Sequence, residues 1–547
     1  MEPMNNTVNE TMNPSPAKPQ EKEQQPKEKN PIFAFMSIGS LIYAFFYTVF
    51  LYKNSSGITY PFFVGGTCFF FFCYLKKSGT AAKKFSIFLI TSLVLLGIST
   101  CLTDSWVLLF LNKLGIFFLF FYMVLHNLYQ DKSWDLTKYL GSIINVTCTS
   151  IAFLFRPFTD LTDFLEDRKE LKESSGKPEG KGKYVFFGIL IALPLLLVVT
   201  LLLCYADAVF SNVVNYLFSD MIEFLFEGNI WGIAALFLFA FFASYCLLCR
   251  FSHHNIREEV ADKRTAEPII GITFTGLISF VYLVFCLIQI IYLFGGLGTL
   301  PKNYTYARYA REGFFQLVFV CIINLALVLI CNKRFRKNKI LKGILVFISL
   351  CTYIMIASSA YRMILYIKAY HLTFLRVLVL WGLVVIFLLI SGTLALIFRE
   401  NFPMVKYCVI TVTVMYLIFS FAHPDYWIAH YNLSHVVTAN AGTGEDSDQS
   451  SRSYSDFYYL RNLSMDAAPA IYGMVDGLGN NPEDTDSLQW FYRYSEKILR
   501  KSWDGSPLDT LPQKQSVREF NFSRWAAYKN YTKYYEEHEE FQNKILN

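Results

Sequence analysis

"TYARYAREGFFQLVFVCIINLALVLICNKR", Thr305 to Arg334, decides the fold class. Two arginines and a glutamate stand at its mouth, about twenty almost uninterrupted apolar residues follow, and a basic cluster ends it. A helix of about twenty residues is some 30 Å long, the thickness of a bilayer's hydrocarbon core. Blocks like it recur along the chain, which is 54% hydrophobic and only 17% charged over 547 residues. A soluble chain carries about 25% charge. The composition therefore specifies a polytopic, all-α membrane protein.

Eleven spans are expected, at about 32–52, 57–75, 85–103, 106–126, 184–204, 231–249, 270–295, 314–332, 343–367, 376–398 and 405–422. Lysine and arginine test the alternation, because cytoplasmic loops carry the excess of positive charge. With the amino terminus inside, cytoplasmic segments hold 29 of them and the short external loops 6; two lie within spans and 12 in the tail after 424. An odd span count with this bias places the carboxyl-terminal tail outside, in a cell membrane. The domain division is a disordered cytoplasmic tail (1–30), a four-span segment (31–126), a cytoplasmic or interfacial segment with its linker (127–183), a seven-span core (184–423) and an extracytoplasmic helical region (424–547).

Within the segment 127–183, Lys138 and Arg156 break a partly apolar stretch (135–165), which fits an interfacial helix pair better than a twelfth span. A re-entrant hairpin is the alternative. "KESSGKPEGKGK" (172–183) is a Gly/Lys linker without the spacing of a phosphate-binding loop. In the tail, apolar spacing at 488, 491, 495, 498 and 502, and again around 517, 520, 527, 531 and 535, predicts helices and a small α-helical outer domain.

Signature chemistry is missing from the sequence. It contains no HExxH, GxSxG, Walker A or EF-hand pattern. All twelve cysteines lie between Cys68 and Cys408, so the tail has no disulfide framework, and the CxxC at 246–249 ends an apolar span as packing residues. His253 and His254 read as a solvated loop, and Glu166/Asp167 and Glu258/Glu259 as surface charge. Neither a cofactor nor a metal is expected, and no basic patch interleaved with aromatics suggests nucleic acid.

The topology instead collects charges near one face. Asp207 follows the fifth span; Arg308, Arg311 and Glu312 open the eighth; Arg362 lies about a turn inside the ninth. Arg376 begins the tenth, Lys113 is two turns into the fourth, and Asp425 follows the last. Long side chains near span ends snorkel cheaply, and Arg308 and Glu312 have the i, i+4 spacing of a helical pair. Arg362 has apolar neighbours on both sides, where a lone charge is costly. Arg311, Arg362, Asp207 and Glu312, with Arg308 and Lys113, are the candidate binding residues, for an anionic group that a guanidinium fork can hold.

The stretches "YADAVF" (205–210), "IQIIYLFGG" (288–296), "YAREGFFQLV" (309–318), "SSAYRMILYIKAYHLTFLRV" (358–377), "HPDYWIAHYN" (423–432) and "DFYYLRNLSMDAAPAI" (456–471) together resemble a family of bacterial multi-spanning membrane proteins known as a domain of unknown function. The family pattern favours Asn before Pro-Asp, where this chain has His423. The resemblance implies a bacterial envelope protein and supplies no reaction. Three functions fit: a non-enzymatic binder or transporter of an anionic lipid or envelope precursor, a sensor or scaffold whose outer tail binds a partner, and a membrane-embedded glycosyl- or phosphoryl-group transferase. The short first outer loop, "KNSSG", has no acidic pair and counts against the transferase.

Overall fold

The computed structural model describes residues 33–54, 56–173, 230–252, 264–291, 306–441, 457–478, 485–500 and 517–538, with scattered positions between 192 and 210. The amino-terminal tail, the linker up to 183, nearly all of the expected 184–204 span and the segment after it, and the loop with His253 and His254 lie outside these residues.

The described chain is all-α apart from one isolated bridge, Ala266 to Phe335. Its first half holds α1 (Phe33–Leu51), α2 (Thr59–Lys77), α3 (Ser86–Leu102), α4 (Trp106–Leu128), α5 (Leu136–Ser150), α6 (Arg156–Glu173) and α7 (Ile230–Ser252). The second half holds α8 (Pro268–Gln289), α9 (Tyr306–Arg334), α10 (Lys339–Tyr370), α11 (Phe374–Phe398) and α12 (Met404–Phe421). The tail adds α13 (Pro424–Ala441), α14 (Ala468–Met474), α15 (Thr485–Arg500) and α16 (Phe522–Glu537). Side-chain caps start several of them: Asp135 accepts from the Lys138 N–H, Asn338 from those of Ile340 and Leu341, and Asn521 from that of Arg524. Each satisfies a backbone donor that the first helical turn leaves without a partner.

Among the described residues seven helices, α4 and α7 to α12, are long and apolar enough to cross a membrane. Helices α1 and α3 are apolar but shorter. Apolar outer faces confirm the solvent: α8 exposes Ile269, Ile270, Leu277, Phe280 and Val281, a face suited to hydrocarbon and not to water. The protein is thus a multi-pass membrane protein. The 136–165 region forms a pair bent by 53°, a broken span or re-entrant element. Arg250 of α7 braces it, donating to Thr149 Oγ1 and Asn145 Oδ1.

Two packed groups compose the bundle. In one, α1 lies along α7 and α2 to α4 pack in sequence; in the other, α10 lies between α8, α9 and α11. Helix α12 touches α3, α4 and α11 and so joins them. Buried hydroxyls and an amide mark that joint: Ser99, Asn112, Tyr416 and Ser420 bond to one another across α3, α4 and α12. Satisfying each polar group inside the bundle is the condition for placing it in hydrocarbon.

The tail has its own core, Ile428, Leu433, Leu460, Ile471, Trp490, Phe491, Tyr494, Ala527 and Tyr531 among its members. The expected helices appear as α15 and α16, with Phe491, Ile498, Ala527 and Tyr531 buried. This tail grips three inter-helix turns. Ile58 donates to the Phe520 carbonyl and Asn54 to that of Arg518 in the first. Asn521 donates to the Thr103 carbonyl in the second. Asn432 exchanges two bonds with Leu372, and Tyr459 accepts from the Phe374 N–H, in the third. These turns follow α1, α3 and α10, so one side of the bundle carries all three.

Candidate functional site

The opening charges lie on a helix rather than in a loop. Helix α9 begins at Tyr306, eight residues before the apolar block, so Arg308, Arg311 and Glu312 occupy its first two turns. Their side chains are outside the described residues. Helices α9 and α10 form an antiparallel hairpin, and Asn324 Nδ2 donates to Thr352 Oγ1 at 2.9 Å between them. That bond sets the register. Arg362 is ten residues beyond Thr352 and therefore level with Phe314, within one turn of Arg311 and Glu312.

Arg362 is buried, at 6% exposure. Its Nη2 donates to Gln289 Oε1 at 3.3 Å, and Ser358 Oγ donates to the same oxygen at 2.7 Å. Deeper in the seam of α8, α9 and α10, the Tyr282 hydroxyl donates to Asn324 Oδ1 at 2.7 Å, continuing the polar line. Twenty residues separate Lys342 from Arg362, about 30 Å of helix. That spacing matches one hydrocarbon thickness, and Arg362 lies toward the tail end of α10. A guanidinium costs less toward the end of a span than at its middle.

The other expected residues lie on other elements. Asp207 is exposed, and its carboxylate accepts from the Phe210 N–H at 3.4 Å. Lys113 is half-buried on α4, whose neighbours are α3, α5 and α12. Arg376 donates to the carbonyls of Tyr370 and His371 and stacks on Tyr366, 4.3 Å from the ring centre. It closes the carboxyl end of α10, where His371 has φ 56°. A cation at a helix carboxyl terminus meets the last free carbonyls and the negative end of the dipole.

Asp425 belongs to a second, unforeseen cluster, where the tail meets the turn between α3 and α4. Its hub is Asp466, whose side chain is fully buried. Asp466 accepts from Thr103 Oγ1 (2.5 Å), the Asp104 N–H (2.7 Å), Ser523 Oγ (2.5 Å) and His423 Nδ1 (3.3 Å). Beside it Asp104 pairs with Arg524 Nε at 2.8 Å, and Asp425 accepts from Ser464 Oγ at 2.5 Å. His423 has φ 48°, in the left-handed region. His is among the residues that enter that region most readily, so the turn accommodates His423.

Burial alone would raise the Asp466 carboxyl, but the four donors outweigh it and hold the group below the usual carboxylate range. The Asp466 bond, opposed by partial burial and helped by the charges of Asp466 and Asp425, raises His423. Asp425 is raised because burial dominates its few bonds. His423 and Asp466 also border a cleft of about 370 Å³, completed by Leu102, Ala422, Tyr426, Trp427, Met465, Pro469, Phe522, Ser523 and Ala526. Among the described residues, no three His, Cys, Asp or Glu side chains are placed to hold a metal ion.

The family described as "Domain of unknown function (DUF4153)" matches residues 90–474. No curated protein and no solved structure matches the chain. The matched range includes Gln289, Arg311, Arg362, His423, Asp425 and Asp466, while Asn521, Ser523 and Arg524, which complete the hub, lie beyond it.

Proposed function

The chain belongs to the DUF4153 family of proteins, and on that premise we propose that it binds, or carries across the membrane, an anionic lipid or lipid-linked envelope precursor, without catalysing a reaction. The site is the end of the α9–α10 hairpin nearest the tail, formed by Arg311, Arg362, Gln289 and Ser358, with Arg308, Glu312 and Asp207 at its rim. The lysine and arginine bias of the sequence supports an outer-face position for this end and for the helical tail domain over it. The observation that carries the reading is the burial of Arg362 among α8, α9 and α10, toward the tail end of α10, with its Nη2 on Gln289 Oε1. The hairpin end holds three arginines and one glutamate, so its net charge is positive. A guanidinium holds phosphate or carboxylate through two parallel bonds, a geometry lysine lacks.

Full-length protein in neutral detergent is to be titrated with phosphatidylglycerol and, separately, phosphatidylcholine while thermal unfolding is followed. Selective stabilisation by the anionic lipid is expected. Arg311→Lys and Arg362→Lys should each weaken it about tenfold, the loss of roughly 1.4 kcal/mol. Arg336→Lys is the control, because Arg336 is exposed at the opposite end and pairs with Glu267. Equal responses from all three variants refute the site.

A further inference from the structure

We propose that the cleft between the α12–α13 turn and α16 is a second ligand site, one that takes a single-chain bilayer amphiphile with a carboxylate head, the chain along the apolar wall and the head against His423.

The lining states the chemistry. Leu102, Ala422, Tyr426, Trp427, Met465, Pro469, Phe522 and Ala526 make an apolar and aromatic wall. Three polar residues interrupt it. Asp466 is occupied by four donors, and Ser523 is one of them. His423 is the third; its Nδ1 is held by Asp466 and its side chain is 34% exposed, so Nε2 is the ring atom left to meet a ligand. An apolar cavity with one oriented polar group is the usual form of a site for a small amphiphile. At about 30 Å³ per water-sized group, 370 Å³ accommodates roughly a dozen of them, the bulk of a medium acyl chain.

Position supplies the occupant. Leu102 and Ala422 are at the ends of α3 and α12, so the cleft stands at the edge of the hydrocarbon. Trp106, Trp427 and Trp525 are exposed close by, and tryptophan concentrates at the membrane–water interface. A bilayer amphiphile reaches such a cleft laterally, without crossing water. The charges suit an acidic head. Arg524 neutralises Asp104, Asp466 is surrounded by donors, and burial favours the uncharged form of Asp425. With Nδ1 held by Asp466, Nε2 is the polar atom presented to the cleft, placed to share a proton with a carboxyl head.

The test uses the full-length protein in nanodiscs and a palmitic acid analogue with a diazirine in its chain. Photolabelled peptides should map to 422–427, 465–469 and 522–526. Palmitate should compete at least tenfold better than its methyl ester. Labelling confined to lipid-facing surfaces such as that of α8 overturns the site, and equal competition by the ester overturns the role of His423. Ala526→Phe should abolish cleft labelling; persistence of the label in a folded variant refutes the assignment. His423→Asn, which suits the turn, should lose the preference for acid over ester, and retention of that preference refutes the contact. Arg362→Lys should leave the labelling unchanged, since this site is independent of the hairpin, and loss of label in that variant contradicts the independence.

Discussion

Replacing Asp466 by alanine tests how the tail is held. The carboxylate takes hydrogen bonds from Thr103, the Asp104 backbone, Ser523 and His423. His423 is partly exposed and can turn to water, but the other three donors are buried and would be stranded. A stranded buried donor costs about 1–3 kcal/mol. Relief from burying a charge offsets part of the total, and neighbours share the loss, so about 3–5 kcal/mol is expected, as for other broken buried pairs. Two of the stranded donors belong to the α3–α4 turn, so the loss falls on the contact between tail and bundle. An opening equilibrium weakened by 3 kcal/mol rises more than a hundredfold. Hydrogen exchange in full-length protein should therefore accelerate at least a hundredfold in 457–478 and 522–537, while α8 to α10 keep their protection. Unchanged exchange in the tail, or equal acceleration in α8 to α10, refutes the hub.

The same contact should depend on pH in a stated direction. His423, raised from an ordinary value of 6.5, stabilises the docked tail fully below 6.5 and loses that contribution as pH rises through its folded value. Asp425, raised from 3.8, likewise favours the docked state less as pH climbs above 3.8. Asp466, lowered from 3.8, works the other way and loses its contribution only in stronger acid, as pH falls through its folded value. Tail protection should peak between about pH 4 and 6.5 and decline toward pH 8, with a shallower alkaline decline in His423→Asn; a monotonic rise to pH 8 contradicts this. A carboxyl-terminal alkaline phosphatase fusion should be active and a cytoplasmic fluorescent reporter at the same site dark; the opposite pattern reverses the orientation.

Most of the helical architecture was legible because apolar blocks of span length have few other uses. The segment expected at 376–398 is Phe374–Phe398, and that at 231–249 is Ile230–Ser252. Errors fall where polar residues extend a helix past its apolar block. The apolar pattern predicts α9 from 314 and it starts at Tyr306; it predicts α10 from 343 and that helix starts at Lys339, after the Asn338 cap. Arg362 stood out in the sequence as a charge in an apolar setting, and the structure shows it buried with Gln289. The Asp466 hub had no comparable signal. Its bonds join Asp466 to Thr103 and Asp104 across more than 360 residues, and no local periodicity encodes such a pairing. "LTDSW", "HPDYW" and "SMDAAP" each hold an acid in or next to a short turn, and that shared feature was the available clue. The sequence puts Arg376 near the same face as the other charges; the structure adds its partners, the backbone carbonyls at the end of α10, which composition does not reveal.

A single-particle map of the full-length protein in phosphatidylglycerol nanodiscs decides whether the two arginines share an anion, because it shows what stands between α9 and α10 at the level of Phe314. Head-group density is expected within hydrogen-bonding distance of both Arg311 and Arg362, beside Gln289 and Ser358. Arg311 and Arg362 turned separately to the lipid, with no shared density between them, would contradict it.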